Sequence, residues 1–186
     1  MPYRRRLFRP SASSRRWRGV ALGGSAILVL GLLALGLPAN LFGSAPHEQD
    51  WSAEAAAVRV VDGDTLRLGD RTLRLAGLRS PERGETCTTA NGVGFDCGGA
   101  AAEALARLLQ GLDLVCRVQG RDRFGRALGR CQAGGMDASA ALVGAGWALA
   151  VTEVPALVEA EAAARAARRG LWSNPSGAPE SWRNRF

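Results

Sequence analysis

Lysine is absent from this chain of 186 residues, and histidine occurs once, at His47. The part of the chain that follows His47 therefore offers no histidine to a catalytic or metal site. This excludes Ser-His-Asp and Cys-His catalysis for the folded part, as well as metal sites with histidine ligands. Aromatic residues are also few, at 6% of the chain.

The net charge of +7 comes from the amino terminus. Seven arginines precede Gly19 with no acid among them, and the arginines that remain after His47 equal the 17 acids in number. The basic composition therefore indicates membrane topology and is not in itself evidence for nucleic-acid binding. Any affinity for a polyanion has to come from arginines that cluster locally.

The apolar segment 20–42 contains no charged residue and is long enough to span a bilayer. Arginines before it and Glu48 and Asp50 after it predict that residues 1–18 form a basic cytoplasmic tail. We therefore expect a signal-anchor helix at 19–42 in the inner (cytoplasmic) membrane, crossing once. The C-terminal domain then lies outside, in the periplasm or the extracellular space. The alternative is a cleaved signal peptide.

The four cysteines are spaced in a way that favours two local disulfides. Cys116 and Cys131 lie symmetrically about a predicted hairpin turn, and Cys87 and Cys97 close a short loop. No spacing is C-x-x-C, which argues against zinc. Two disulfides need an oxidising compartment, in agreement with the predicted topology. The alternative is four buried thiols in a cytosolic protein.

The stretch from Val60 to Glu82 combines strand periodicity with a group of charged residues. Its apolar residues lie mostly two apart, and its breaks are the turn sequences Asp62-Gly63-Asp64 and Gly69-Asp70. We therefore predict three short antiparallel strands. Two acids at one turn, Arg74 on the third strand and Glu82 after it form a candidate site for a divalent cation and a phosphate.

These motifs resemble the thermonuclease (staphylococcal nuclease-like) family. Asp122-Arg123-Phe124-Gly125-Arg126, Gly146-Trp147-Ala148 and Arg169-Gly170-Leu171-Trp172 follow in the order of the family's pattern. The resemblance covers roughly Ala55 to Trp172 and implies an OB-type fold.

The expected fold class is α+β, mainly β. We expect a five-stranded OB-type barrel with about three helices packed outside it, at 98–110, 137–145 and 155–170, preceded by one transmembrane helix. The domain boundaries follow as a linker at 43–54, the thermonuclease-like domain at 55–172 and a C-terminal tail at 173–186. The tail is rich in Pro, Gly and Ser, so we expect it to pack loosely.

The resemblance also implies roles for individual residues. It makes Asp64 a Ca²⁺ ligand with Asp62 in the outer shell, and it assigns Glu82 to orienting the attacking water or to acting as the general base. Arg74 and Arg126 become the two guanidinium groups that hold the phosphate. The implied cofactor is Ca²⁺, and the implied substrate or ligand is single-stranded or flexible nucleic acid.

Arg79 departs from the family pattern, which has a metal-binding aspartate at this position. Either Ca²⁺ binds much more weakly here, or Arg79 pairs with Asp64 and replaces the ion as a fixed charge. Two hypotheses follow. The domain is a weak or altered Ca²⁺-dependent endonuclease acting on DNA or RNA, or it is a catalytically inactive OB-fold module that binds nucleic acid or another partner.

Overall fold

The computed structural model describes residues 49–151, 154–174 and 182. Within these residues, no helix is long and apolar enough to cross a membrane. The predicted basic tail, the predicted anchor at 19–42 and the first part of the predicted linker lie outside the described residues, so they stay predictions.

The described chain alternates short strands with three α-helices. The helices are α1 (Cys97–Leu109), α2 (Ala138–Gly144) and α3 (Pro155–Ala166). The strands, in chain order, are β1 (Gln49–Ala53), β2 (Val58–Asp62), β3 (Thr65–Leu68), β4 (Arg71–Leu75), β5 (Leu78–Arg79), β6 (Thr86–Thr88), β7 (Gly94–Asp96), β8 (Leu114–Arg121), β9 (Ala127–Ala133), β10 (Met136–Asp137) and β11 (Leu149–Ala150).

The main sheet has seven strands, in the order β1-β8-β9-β4-β3-β2, with β10 pairing β9. Most of its pairs are antiparallel, and β4 pairs β9 in parallel. Two small sheets, β5 with β11 and β6 with β7, complete the strands of the described region. The result is a mixed α+β fold, mainly β, with a curled half-barrel sheet and three helices.

The expected five-stranded barrel therefore needs correction. Residues 49–53, which we expected in the linker, pair with β8 and extend the sheet by an edge strand. The physical reason is that Trp51 and Ala53 are partly buried against the core, while the polar residues of the strand, Gln49, Asp50 and Ser52, are exposed. An alternation this short is easily taken for a polar linker.

The core lies on the inner face of the sheet, under the helices. Leu66, Leu73 and Leu75 from the sheet meet Leu105 of α1 and Leu142 of α2, all of them fully buried. Asp96 and Asp137 cap α1 and α2 by accepting hydrogen bonds from backbone N–H groups three residues later. The three expected helices are thus present, and α3 ends at Ala166, before the expected residue 170.

A second apolar cluster includes part of the expected C-terminal tail. Trp182 is only 6% exposed and packs with Cys97, Leu149, Ala164, Leu171 and Trp172. We expected this tail to pack loosely, and at Trp182 that expectation was wrong. The cause is the large hydrophobic area of the Trp182 indole, whose burial stabilises this contact.

Candidate nucleic-acid and phosphate site

The turn between β2 and β3 is packed directly against the corner that follows β5. Gly63 lies so close to Ser80 that a Cβ atom at position 63 would overlap the Ser80 hydroxyl group. Only glycine fits here, because any side chain would push the two segments apart. The segment holding Asp62 and Asp64 is therefore adjacent to the segment holding Arg79.

Asp64 and Arg74 form a buried ion pair. Nη2 of Arg74 lies 2.6 Å from Oδ2 of Asp64, and the two side chains are only 12% and 9% exposed. The pairing of β3 with β4 brings them together, because Thr65 lies opposite Arg74 in the register. The Thr65 hydroxyl group donates a second hydrogen bond to Asp64, at 2.9 Å. The Asp64 carboxylate is thus engaged by a guanidinium and a hydroxyl group.

Arg74 also carries a donor without an acceptor. Its Nε is buried, and no described residue accepts a hydrogen bond from it. A buried donor that lacks an acceptor costs about 1–3 kcal/mol. Such a donor indicates a place for an oxygen that the protein does not itself supply.

Arg79 lies within electrostatic range of both members of the ion pair. Burial lowers the pKa of its guanidinium, the charge of Arg74 lowers it further, and Asp64 acts in the opposite direction. Its Nη1 donates a hydrogen bond to the Leu78 carbonyl oxygen at 3.0 Å, which holds the half-buried side chain against its own strand. Two guanidinium groups thus lie close to one carboxylate.

Asp62 lies beside this group. Burial raises the pKa of its carboxyl group, the backbone N–H of Gly63 lowers it, and the negative charge of Asp64 raises it again. The net direction is upward. Arg83 acts against the increase, and its Nε donates to the Val61 carbonyl oxygen at 2.7 Å. The structure therefore brings Asp62, Asp64, Arg74 and Arg79 together.

Arg126 is held at the end of the turn between β8 and β9. Its Nε donates to Oδ2 of Asp122 at 2.7 Å, and it lies 5.3 Å from the ring centre of Phe124. It directly precedes Ala127, which lies opposite Leu73 of β4. Arg126 thus lies in the turn that leads into the strand next to that of Arg74, although the observed partner of Arg126 is Asp122.

Asp122 organises the turn that carries Arg126. Its Oδ1 accepts hydrogen bonds from the backbone N–H groups of Phe124 and Arg126, both at 2.9 Å. Burial alone would raise the pKa of this carboxyl group, but the hydrogen bonds from Arg126 and Phe124 outweigh it and lower the pKa. The sequence contained this residue inside a motif, but reasoning from the residues gave it no role.

Glu82 lies in an exposed loop after β5. Its backbone N–H donates to the Glu85 carboxylate at 2.8 Å, and its own carboxylate has no hydrogen bond or ion pair with any described residue. The structure thus leaves this carboxylate exposed to solvent. Sequence reasoning also missed Ser80, whose contact with Gly63 fixes the geometry of the site.

The side chains present do not fit a calcium site. Ca²⁺ usually takes about six to eight oxygen ligands, several of them carboxylates. Among the described residues, no group of three or more His, Cys, Asp or Glu side chains is arranged to hold a metal. Asp64 is already paired with Arg74, and the position where the family pattern has a carboxylate ligand carries Arg79.

Comparison with known proteins gives a family and three relatives. The family model for staphylococcal nuclease homologues matches residues 72–174. The succinoglycan biosynthesis protein ExoI of Rhizobium meliloti (strain 1021) is 35% identical over 89 residues, which cover 47% of this chain and 47% of that protein. Uncharacterized endonucleases of Escherichia coli O157:H7 and Escherichia coli are each 31% identical over 137 residues, covering 69% of this chain and 83% of theirs.

Proposed function

Since the chain belongs to the staphylococcal nuclease homologue family, we propose that it is an endonuclease with a weakened or altered dependence on Ca²⁺. Its proposed substrate is single-stranded or flexible DNA or RNA. The observation that carries the proposal is the buried pair of Asp64 and Arg74, with Arg79 beside it. This arrangement places two guanidinium groups beside the carboxylates of the β2–β3 turn.

Cleavage of a phosphodiester needs positive charge where the phosphoryl oxygens gain negative charge. Arg74 supplies it from β4 and Arg126 from the turn before the adjacent strand β9, and their planar guanidinium groups suit two-point contact with phosphate. Asp64 fixes the orientation of Arg74, and Asp122 fixes that of Arg126. Glu82 is exposed and is the carboxylate we assign to orienting the attacking water.

A catalytically inactive OB-fold module is the second candidate, and Arg79 is the observation that favours it. A cation at this position removes a carboxylate from the site that the family resemblance implies. Phe124 is 64% exposed beside the Arg126 turn and offers a stacking surface for one base. A module of this kind binds nucleic acid or another partner without cleaving it.

The proposed location is the outer side of the cytoplasmic membrane. The apolar segment 19–42 acts as the anchor, and the domain that follows lies in the periplasm or the extracellular space. Support comes from two disulfides, Cys87–Cys97 and Cys116–Cys131, which persist in oxidising compartments.

The experiment that tests the nuclease proposal is replacement of the two arginines by lysine. Lysine keeps the charge and loses the planar fork, so Arg74→Lys and Arg126→Lys should each lower turnover by a factor of about 10² or more. The measurement is the initial rate of cleavage of a single-stranded oligonucleotide by the full-length protein.

The matched control is Arg67→Lys, on the exposed face of β3. This change should leave the rate within about twofold of the wild type, because Arg67 has no role in the proposed site. Normal cleavage by both Arg74→Lys and Arg126→Lys would place the site elsewhere.

A further inference from the structure

Arg79 is held in place by the backbone on two sides. Its strand β5 pairs with β11, where Arg79 lies opposite Leu149. The next residue, Ser80, is buried against Gly63 of the Asp62–Asp64 turn and lies near the Trp147 carbonyl oxygen, at 3.4 Å. The main chain at position 79 is therefore fixed relative to the Asp64–Arg74 pair.

The group of Asp62, Asp64, Arg74 and Arg79 differs in charge from a set of carboxylates that binds a metal ion. The carboxylates of Asp62 and Asp64 are opposed by the guanidinium groups of Arg74 and Arg79, so the four charges balance. An arginine in place of an aspartate adds roughly two units of positive charge, which is the charge that a divalent cation brings. The site therefore reaches the net charge of an ion-bound site without the ion.

The repulsion between the guanidinium groups of Arg74 and Arg79 favours an anionic ligand at this site. Arg74 lies close enough to Arg79 to oppose its charge, and Nε of Arg74 is a buried donor without an acceptor among the described residues. An anion with several oxygens would reduce the repulsion between Arg74 and Arg79 and would accept a hydrogen bond from Nε of Arg74. A phosphodiester group of nucleic acid has this chemistry, and arginine binds it through two parallel hydrogen bonds.

We propose that Arg79 takes the place of a divalent cation, so that this site binds a phosphate of nucleic acid without metal. Because a guanidinium carries several N–H donors, Arg79 can hold the Leu78 carbonyl oxygen and a phosphate oxygen together. Asp64 restrains Arg74 in the same arrangement with or without Ca²⁺. The nature of the ligand rests on the proposed function, whereas the independence from metal rests on the geometry.

The test is a binding measurement on the full-length protein, separate from cleavage. The probe is a fluorescent oligothymidylate with phosphorothioate linkages that resist cleavage, titrated by anisotropy in EDTA and again in CaCl₂. We expect dissociation constants that agree within about twofold in the two buffers. Arg79→Gln should weaken binding about tenfold or more in both, and Arg79→Lys should recover part of the loss.

The matched control is Arg107→Gln, which removes one positive charge from the exposed surface of α1. It should leave the affinity within about twofold of the wild type. Thermal melting of each variant shows whether its fold is intact.

The outcomes separate the inference from the proposed function. Binding that disappears in EDTA, or that is unchanged in a folded Arg79→Gln variant, overturns the inference. Binding in EDTA that depends on Arg79, in a protein that does not cleave natural oligonucleotides, supports the inference and contradicts the nuclease proposal. Cleavage that needs Ca²⁺, with binding lost in EDTA, supports the nuclease proposal and contradicts the inference.

Discussion

Gly63 is the residue on which the geometry of the site depends. It allows the Asp62–Asp64 turn to lie directly on Ser80, and no other residue type has room there. The ion pair of Asp64 with Arg74 is a second local constraint, because either partner left alone would be a buried unpaired charge. Small changes at these positions should therefore alter stability and function together.

The substitution Gly63→Ala tests this packing. Its Cβ would overlap the Ser80 hydroxyl group, and overpacking of this kind costs about 1–3 kcal/mol. We expect a lower melting temperature and weaker binding of oligonucleotide, because Asp64 and Arg79 move apart. Calorimetric melting and anisotropy measure the two effects.

The control for this test is Gly144→Ala in α2, where a Cβ would meet only Ala160 at an ordinary distance of 3.9 Å. That change should leave stability equal or slightly higher, since alanine favours helix. A Gly63→Ala protein that melts and binds like the wild type would show that the two segments are not in contact.

The motifs indicated which residues form the candidate site, but they did not indicate the contacts of those residues. The order of Asp64, Arg74 and Arg126 along the chain indicated one site, and the pairing of β3 with β4 brings Asp64 to Arg74. The sequence could not show that Asp122 holds Arg126, because the bond depends on side-chain geometry within the turn. It also could not show that the Glu82 carboxylate lies in solvent.

Strands β8 and β9 form the longest hairpin of the sheet, and the disulfide predicted from cysteine spacing joins them. Cys116 lies directly opposite Cys131 in the register, and the two are bonded. The other predicted pair, Cys87 with Cys97, is also bonded and connects β6 to the first residue of α1. The pairing of Cys116 with Cys131 follows from symmetry about a turn and that of Cys87 with Cys97 from a short loop, and the sequence alone shows both spacings.

Each disulfide should contribute about 2–4 kcal/mol to the free energy of unfolding. Reductant should therefore lower the melting temperature. In a Cys87→Ala/Cys97→Ala variant, reductant should produce only the part of the decrease that belongs to Cys116–Cys131. Mass spectrometry of non-reduced peptides should show the two predicted linkages, and a Cys97–Cys116 linkage would contradict the register of β8 with β9.

Among the strands and helices, the prediction was wrong for β1, whose structure depends on pairing with a strand that is distant in sequence. Strand β1 is short, and its alternation of Trp51 and Ala53 with polar residues resembles that of a linker. The pairing with β8 supplies the hydrogen bonds that make it a strand. Helices α1 and α2 were predictable because Asp96 and Asp137 provide local caps whose effect does not depend on distant contacts.

Along the whole chain, the excess positive charge relates to the predicted membrane topology and is not a sign of ligand binding. The excess positive charge lies before Gly19, whereas the arginines that follow His47 are equal in number to the acids. Binding of nucleic acid by the domain should therefore depend on a few arginines held at fixed positions. Because few charges take part, the affinity should depend only weakly on salt concentration. Topology rests on segment 19–42, which lies outside the described residues.

The predicted anchor can be tested by fractionation. An uncleaved helix at 19–42 should keep the full-length protein in the membrane after washes with high salt and with carbonate. Immunoblotting of pellet and supernatant measures the partition. Recovery of a soluble form that begins near Leu37 or Pro46 would show that the segment is a cleaved signal peptide.

In our proposal, Arg79 occupies the position of a metal ligand and supplies the positive charge that the ion would have brought. Calorimetric titration of the Arg79→Asp variant with Ca²⁺ tests it most directly. The change adds a carboxylate ligand and removes a repelling cation, so affinity should rise more than tenfold over the wild type, about 1.4 kcal/mol per decade. The gain should disappear in the Arg79→Asp/Asp64→Ala variant. Equal Ca²⁺ affinity in the wild type and in Arg79→Asp would show that Arg79 does not take the place of the cation.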